Sequence, residues 1–255
     1  KATSIPILFP LDEGVNGIER ALDTMLDKAV EAVDAGSNII ILSDRGVTKE
    51  NAPIPALLAC SYLHHSLSRK QKRSKFGIVM ETAEPREPHH FATLFGYGAS
   101  AINPYMVNEI ITHQVETGEI KGINANVAVK NFNKAIGKGI LKIINKIGIS
   151  TLHSYRASQI FEILGLKKGF TEKYFPGTPS RIGGIGLYVL EKDIYKRCKS
   201  AFRNDEIDNV LDLDIGGDYR WRRGGERHMF NPTTVSKLQQ AVRLKNKDSY
   251  KVYAD

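Results

Sequence analysis

Four short, continuous apolar runs, each followed by a segment of helical periodicity, constrain this chain more than any other feature. The runs are Ile5-Pro-Ile-Leu-Phe9, Ile39-Ile-Ile-Leu-Ser43, Gly77-Ile-Val-Met-Glu81 and Ala99-Ser-Ala-Ile-Asn103. Continuous rather than alternating runs predict strands buried on both faces, as in a parallel sheet. Between the first two, Ile18, Leu22, Met25, Leu26, Ala29, Val30 and Val33 recur with helical spacing, and Gly36 is placed to stop that helix. Pro53 and Pro55 introduce a second helical pattern through Leu57 and Leu67, and Pro88 a third over His89–Phe95, closed by Gly96 and Gly98. Pro104 stands at the natural first position of the fourth, Tyr105–Val115.

Strand, loop and helix repeated in this way predict right-handed crossovers and a parallel sheet. The spacing is too irregular for a solenoid. It fits either an open doubly wound sheet or a partial (β/α)-barrel-like arc, with the arc preferred. The fold class is therefore α/β, built from parallel βα repeats and followed by a helical and loop-rich segment.

The character changes from Asn126 onward. Val129–Ile147 reads as a long basic helix interrupted at Gly137 and Gly139, with Lys130, Lys134, Lys138, Lys142 and Lys146 forming a solvated stripe. A fifth apolar run, Ile149–Leu152, leads into a helical pattern over Tyr155–Leu164. A Gly-rich stretch, Gly177–Gly186, precedes another helix over Leu187–Phe202. Gly216–Glu226 is turn-rich and aromatic, and Pro232 begins a last helix through Ala241.

With 255 residues, the chain can bury the core of one large α/β domain or two smaller ones. No apolar run has the roughly 18–20 residues of a membrane helix, and no signal-peptide layout is present. The net charge of +8 raises nucleic-acid binding as a function. However, the only dense basic cluster is Arg69, Lys70, Lys72, Arg73 and Lys75, between a helix and a strand, where a solvated loop is the ordinary explanation. No aromatic residues alternate with it as a stacking platform requires, so no nucleic-acid partner is expected. Cys60 and Cys198 lie in no ligand-spaced motif and read as buried, reduced thiols. The chain opens at Lys1 without Met and closes on Ala254-Asp255 directly after a helical pattern, which reads as a piece of a longer protein.

Ligands of parallel α/β folds collect at the carboxyl ends of the strands. Here those ends carry Ser43-Asp44-Arg45-Gly46, Glu81-Thr82 and Asn103-Pro104-Tyr105. Asp44, Arg45 and Glu81 either converge on a site or pair with one another and pin the loops. The doublets His64-His65 and His89-His90 are poor metal sites, because adjacent helical residues diverge by roughly 100°. The set Asp44, Glu81 and His89 leaves one metal arrangement open. Arg181-Ile-Gly-Gly-Ile-Gly186 has the composition of a phosphate loop, but its spacing matches neither glycine fingerprint and no clear strand precedes it. Gly183 and Gly184 then read as structural glycines of a tight crossing, with Arg181 contacting an acidic group or carbonyls across it.

The ordered motifs Leu42-Ser-Asp-Arg-Gly46, Ala52-Pro-Ile-Pro-Ala-Leu-Leu58, His89-His-Phe91, Gly96-Tyr-Gly98 and Ala101-Ile-Asn-Pro-Tyr105 resemble the central domain of the glutamate synthase family. The resemblance continues through Gly137–Lys142, Gly148–Leu152, Ser154–Phe161 and Tyr174–Gly186. Tyr219-Arg-Trp-Arg222, Gly225-Glu226, Asn231-Pro232 and Leu238–Arg243 resemble the lead-in to that family's flavin barrel. It covers essentially the whole chain.

The resemblance implies a parent oxidoreductase acting on CH–NH2 donors, making L-glutamate from L-glutamine and 2-oxoglutarate. A terminal cysteine of an amidohydrolase domain would release ammonia, which would cross a protected channel to a barrel carrying FMN and an iron–sulphur cluster. It also implies that residues 1–176 are the C-terminal part of the central, linking domain and 177–255 the start of the flavin domain. Little catalytic inventory carries over: Lys1 stands first, and two distant cysteines cannot supply the three closely spaced ones of the cluster. The chain is accordingly expected to be a noncatalytic link, with no catalytic, cofactor-binding or metal-binding residue. Its expected partners are the other domains of the same large subunit and a small electron-donating subunit, in the cytoplasm or a plastid. Two other functions remain open: a small-molecule enzyme using Asp44, Arg45 and Glu81, and a subunit-docking module using the Gly177–Gly186 turn.

Overall fold

The computed structural model describes residues 1–202, 221 and 228–254. The chain divides into two compact units, Lys1–Arg203 and Asn204–Asp255. In the first unit the order is β1 (Ala2–Pro6), β2 (Leu8–Pro10), α1 (Gly14–Asp34), β3 (Ile39–Ser43), β4 (Asn51–Pro53), α2 (Ala56–Arg69), β5 (Gly77–Glu81), α3 (Pro88–Gly96), β6 (Ala101–Asn103) and α4 (Tyr105–Glu116). Then come α5 (Ala125–Ile147), α6 (Leu152–Tyr155), β7 (Leu164–Leu166), α7 (Lys168–Tyr174), β8 (Ile182–Ile185) and α8 (Leu187–Ala201).

The main sheet is parallel throughout, in the order β1-β3-β5-β6. It is open, and no barrel closes among the described residues. Its strand order nevertheless follows the chain order, as in an arc of a barrel, with no reversal. Successive right-handed crossovers of that kind place the connecting helices on one side.

Burial follows from that topology. Ile5, Ile40, Leu42, Ile78 and Met80 face the helices and are at most 2% exposed. Ile41 and Val79 on the other face are partly exposed, and Ile39 is 41% exposed. The strands are thus buried on one face, not on both as their continuous apolarity predicts. The first run also divides: β1 begins at Ala2, while Leu8–Pro10 pairs antiparallel with β4.

The helix stripes form the core over this sheet. Ile18, Leu22, Met25 and Ala29 of α1 are essentially inaccessible, each large side chain contributing about 1.5–3 kcal/mol on burial. Gly36 lies just past the end of α1 at φ +81°, a conformation that favours glycine. The helix α5 begins at Asn124, whose side chain accepts from the Val127 amide, and runs without interruption through both of its glycines. The reason is packing: a Cβ on Gly139 would stand 2.7 Å from the Pro88 ring, so this glycine allows α5 to approach α3. Its five spaced lysines are all exposed.

The helix expected over Tyr155–Leu164 does not form. Only α6 is helical there, and Ala157 and Gln159 have φ of +61° and +55°. Tertiary contacts override the local pattern: the Ala157 amide donates to the Gly96 carbonyl, and the Phe161 ring occupies the space beside Gly96 that a Cβ would need. There Phe161 stacks on Tyr97 at 5.5 Å and meets Tyr155 edge-on at 6.4 Å. Ile149–Leu152 likewise forms no strand.

In the second unit, α9 (Pro232–Leu244) opens with a capping box in which Asn231 accepts from Thr233 and Thr234 amides and Thr234 Oγ1 accepts from the Asn231 amide. It packs on α10 (Lys247–Ala254). Except for Trp221, the turn-rich Gly216–Glu226 stretch lies outside the described residues.

Candidate functional site

The carboxyl ends of β3, β5 and β6 bring Asp44, Arg45 and Glu81 together, as their place after parallel strands requires. Glu81 Oε2 accepts from Ser43 Oγ at 2.6 Å, and Oε1 lies 3.2 Å from Arg45 Nε and 3.3 Å from Asn103 Nδ2. The Ser43 hydroxyl, followed by Arg45 and Asn103, holds the Glu81 carboxyl below its ordinary value. Arg45 also reaches Glu109 at 3.5 Å and lies 3.8 Å above the Tyr105 ring. Its charge is therefore shared between two carboxylates and an aromatic face.

Asp44 is buried and faces the other way. Its Oδ2 accepts from Thr82 Oγ1 at 2.6 Å and the Ala83 amide at 2.9 Å, tying the end of β3 to the loop after β5. Its Oδ1 is buried without a hydrogen bond. Burial, and then the nearby Asp44 carboxylate, push the Tyr105 phenol up. Sequence patterning missed Glu84, which accepts from the Ala56 amide at 3.1 Å and so caps the start of α2 from a distant loop. A cleft of 590 Å³ opens next to it, lined by Pro53, Leu57, Glu84, Arg86, His90 and Arg197. Asp44, Arg45 and Glu81 do not line that cleft.

Arg181, Gly183 and Gly184 lie apart from this cluster, on the parallel β7–β8 pair. Within the glycine-rich stretch, Ile182–Ile185 is strand. Arg181 pairs with Glu162 at 3.4 Å on an exposed edge. Gly184 presses on backbone, since a Cβ there would be 2.6 Å from the Gly165 carbonyl carbon, whereas Gly183 has open space around it. Gly177, and not Gly183 or Gly184, carries the positive φ, at +83°.

The two cysteines do not fit the iron–sulphur cluster that the resemblance implies. Cys60 is fully buried in the core, where loss of solvation pushes its thiol up to about 12, and its sulphur lies against the Leu94 and Tyr97 carbonyls. Cys198 lies against the Thr48 carbonyl. The two are separate thiols and not the ligands of a cluster. Among the described residues, no group of three or more His, Cys, Asp or Glu is arranged to hold a metal ion. His89 does not join Asp44 and Glu81 in such a group, and His90 accepts from the Arg86 amide and faces Glu87. No helix among the described residues is long and apolar enough to cross a membrane.

An open α/β domain in which strand-end Glu81 pairs with Arg45 and buried Asp44 ties down a loop is defined more by its packing than by an exposed reactive group. Residues 1–167 match the family described as the glutamate synthase central domain, and the chain belongs to that family. It is 40% identical over 99% of its length to the glutamate synthase [NADPH] large chain of Bacillus subtilis, covering 16% of that protein. It is 40% identical over 98% of its length to the glutamate synthase [NADH] of Schizosaccharomyces pombe, covering 12%. The chloroplastic ferredoxin-dependent glutamate synthase of Spinacia oleracea is 38% identical over 99% of the chain, which covers 16% of it. The chain thus corresponds to a small part of these much larger oxidoreductases.

Proposed function

We propose that this chain serves as a noncatalytic link in a glutamate synthase that makes L-glutamate from L-glutamine and 2-oxoglutarate. It would hold the glutaminase and flavin domains in the alignment that keeps ammonia channelled between them. The observation that carries this reading is the strand-end network, in which Glu81 is engaged by Ser43, Arg45 and Asn103, and Asp44, through Oδ2, by Thr82 and Ala83. Such a network fixes loops instead of presenting a free acid, base or nucleophile. FMN and the iron–sulphur cluster belong, on this reading, to other parts of the parent. Residues 1–176 form the linking domain and 177–255 the lead-in to the flavin domain. A small electron-donating subunit is a further partner, and the compartment is the cytoplasm or a plastid.

The test uses the full-length enzyme carrying Gly184→Val or Arg181→Ala. Glutamine-dependent synthesis should fall several-fold more than ammonia-dependent synthesis, because only the former needs transfer between domains. Equal loss of both activities in a folded variant would mean that this stretch serves the flavin site and not the coupling.

A further inference from the structure

The basic run that reads as a solvated loop hides one residue that turns inward. Lys72 does pair with a surface carboxylate, Asp34. Arg73, one residue on, donates from Nε to His64 Nδ1 at 2.9 Å, from Nη1 to the Phe76 carbonyl at 2.8 Å and from Nη2 to the Gly98 carbonyl at 2.7 Å. A second guanidinium approaches the same segment from the turn after α6. Arg156 Nη1 donates to Ser100 Oγ at 2.8 Å, and its Nη2 lies 3.1 Å from His153 Nδ1. The two side chains therefore converge on Gly98–Ser100, at the amino ends of β5 and β6, the opposite end of the sheet from the strand-end network.

Neither arginine meets a carboxylate among the described residues, whereas Arg20, Arg45, Arg181 and Arg197 all do. Burial, and then the Arg156 charge, push Arg73 down to about 10, still protonated at neutral pH. His64 supplies no compensation. Arginine can only donate, so Nδ1 of His64 is its bare nitrogen and the ring is neutral. Burial and the adjacent arginines push that imidazole down to about 3.

The site is also rigid. Gly98 has φ +113°, and a Cβ there would overlap the His64 ring, so the loop carrying the Gly98 carbonyl is held against the arginines' partner. Arg73 uses three of its five N–H groups on protein acceptors and Arg156 two. The remaining donors belong to two preorganised, like-charged forks, the arrangement that recognises oxyanions with paired hydrogen bonds.

We propose that Arg73 and Arg156 form a binding site for a small oxyanion of the phosphate or carboxylate type. The anion relieves the repulsion of the two guanidiniums and takes the N–H groups that the protein leaves over. Because it lies at the amino end of the sheet, its role is to lock the loop before β5 onto the turn after α6.

The experiment titrates the full chain with inorganic phosphate at constant ionic strength, in a zwitterionic buffer, using calorimetry and thermal unfolding. Saturable binding at one site and a raised unfolding midpoint are expected. Arg156→Gln should weaken phosphate at least tenfold, yet without phosphate leave the midpoint unchanged or higher, since it removes a like charge. Arg69→Gln, in the same basic run, should retain the wild-type affinity. Repeating the titration on the full-length large chain identifies the source of the anion. Binding there as well means a free oxyanion, and binding to the 255-residue chain alone means a carboxylate of the longer polypeptide occupies the same forks. The proposal is overturned if the chain shows no saturable phosphate binding or if Arg156→Gln binds as the wild type does. A lowered midpoint for Arg156→Gln in phosphate-free buffer also overturns it, because Arg156 would then be only a tie to Ser100.

Discussion

Replacing Gly184 by alanine isolates the close approach of two backbones from every other role of the glycine-rich stretch. A Cβ at this position would lie 2.6 Å from the carbonyl carbon and 2.9 Å from the Cα of Gly165. Both are backbone atoms, so no rotamer change relieves the overlap, and the two strands must separate. Overpacking of this kind costs about 1–3 kcal/mol. The alternative is to open the β7–β8 ladder. That sacrifices the bonds from the Ile163 amide to Pro179, from the Lys167 amide to Ile185 and from Ser180 Oγ to Leu166. At about 0.5–1.5 kcal/mol each, opening costs roughly 1.5–4.5 kcal/mol and sets the ceiling on the damage. Amide hydrogen exchange reads the overpacking cost directly: at tenfold per 1.4 kcal/mol, the Ile163 and Lys167 amides should exchange about 5- to 140-fold faster. The urea midpoint should move less, because Leu164 and Ile182 are mostly exposed and the ladder contributes little to the core. Gly183→Ala is the internal control, since a Cβ there meets nothing within 4 Å, and it should be neutral within about 0.5 kcal/mol. Equal exchange rates in the two variants would refute the reasoning.

Three further outcomes follow from the same geometry. His64 is held neutral in the fold, at about 3 against an ordinary 6.5, so the unfolded chain binds the extra proton between those values. Stability should therefore fall as pH drops from 6.5 toward 3, by at most about 1.4 kcal/mol per pH unit, and His64→Gln should flatten that limb in acid-unfolding curves. Glu81 has the depressed carboxyl of an engaged acid, so its contribution is present above its ordinary 4.5 and lost as pH falls through its lower folded value. Glu81→Gln should cost about 1–2 kcal/mol in urea unfolding at pH 7 and remove that acid dependence. Cys60, buried and held as a thiol, should resist a thiol-specific reagent in the native chain and react on unfolding, and labelling at the rate of a free thiol would contradict its placement.

The local sequence was sufficient for the main βα elements of the first half, though not for the antiparallel β2–β4 pair. Continuous apolar runs marked β3 and β5 at their observed ends, proline marked the starts of α2, α3 and α4, and glycine the ends of α1 and α3, because these signals act within one or two turns of chain. The parallel direction of the main strands followed from the same repetition, whereas their order, which the sequence left between a doubly wound sheet and an arc, came from the structure. The strand-end site was legible only as a location: residues after parallel strands must gather at one end, but whether Asp44, Arg45 and Glu81 face a ligand or each other depends on Ser43, Asn103, Thr82 and Glu109. The tertiary structure alone decided which face of the sheet is covered, since period and apolarity are the same for one buried face or two. It alone turned residues 156–163 from a helical pattern into an irregular segment, because Phe161 gains more from Tyr97 and Tyr155 beside Gly96 than a short isolated helix gains from its own bonds. It also turned Arg73 inward toward Gly98 and Arg156, and set Gly184 against Gly165. Each of these rests on contacts between residues far apart in the chain, and a local pattern carries no information about what the fold will bring beside it.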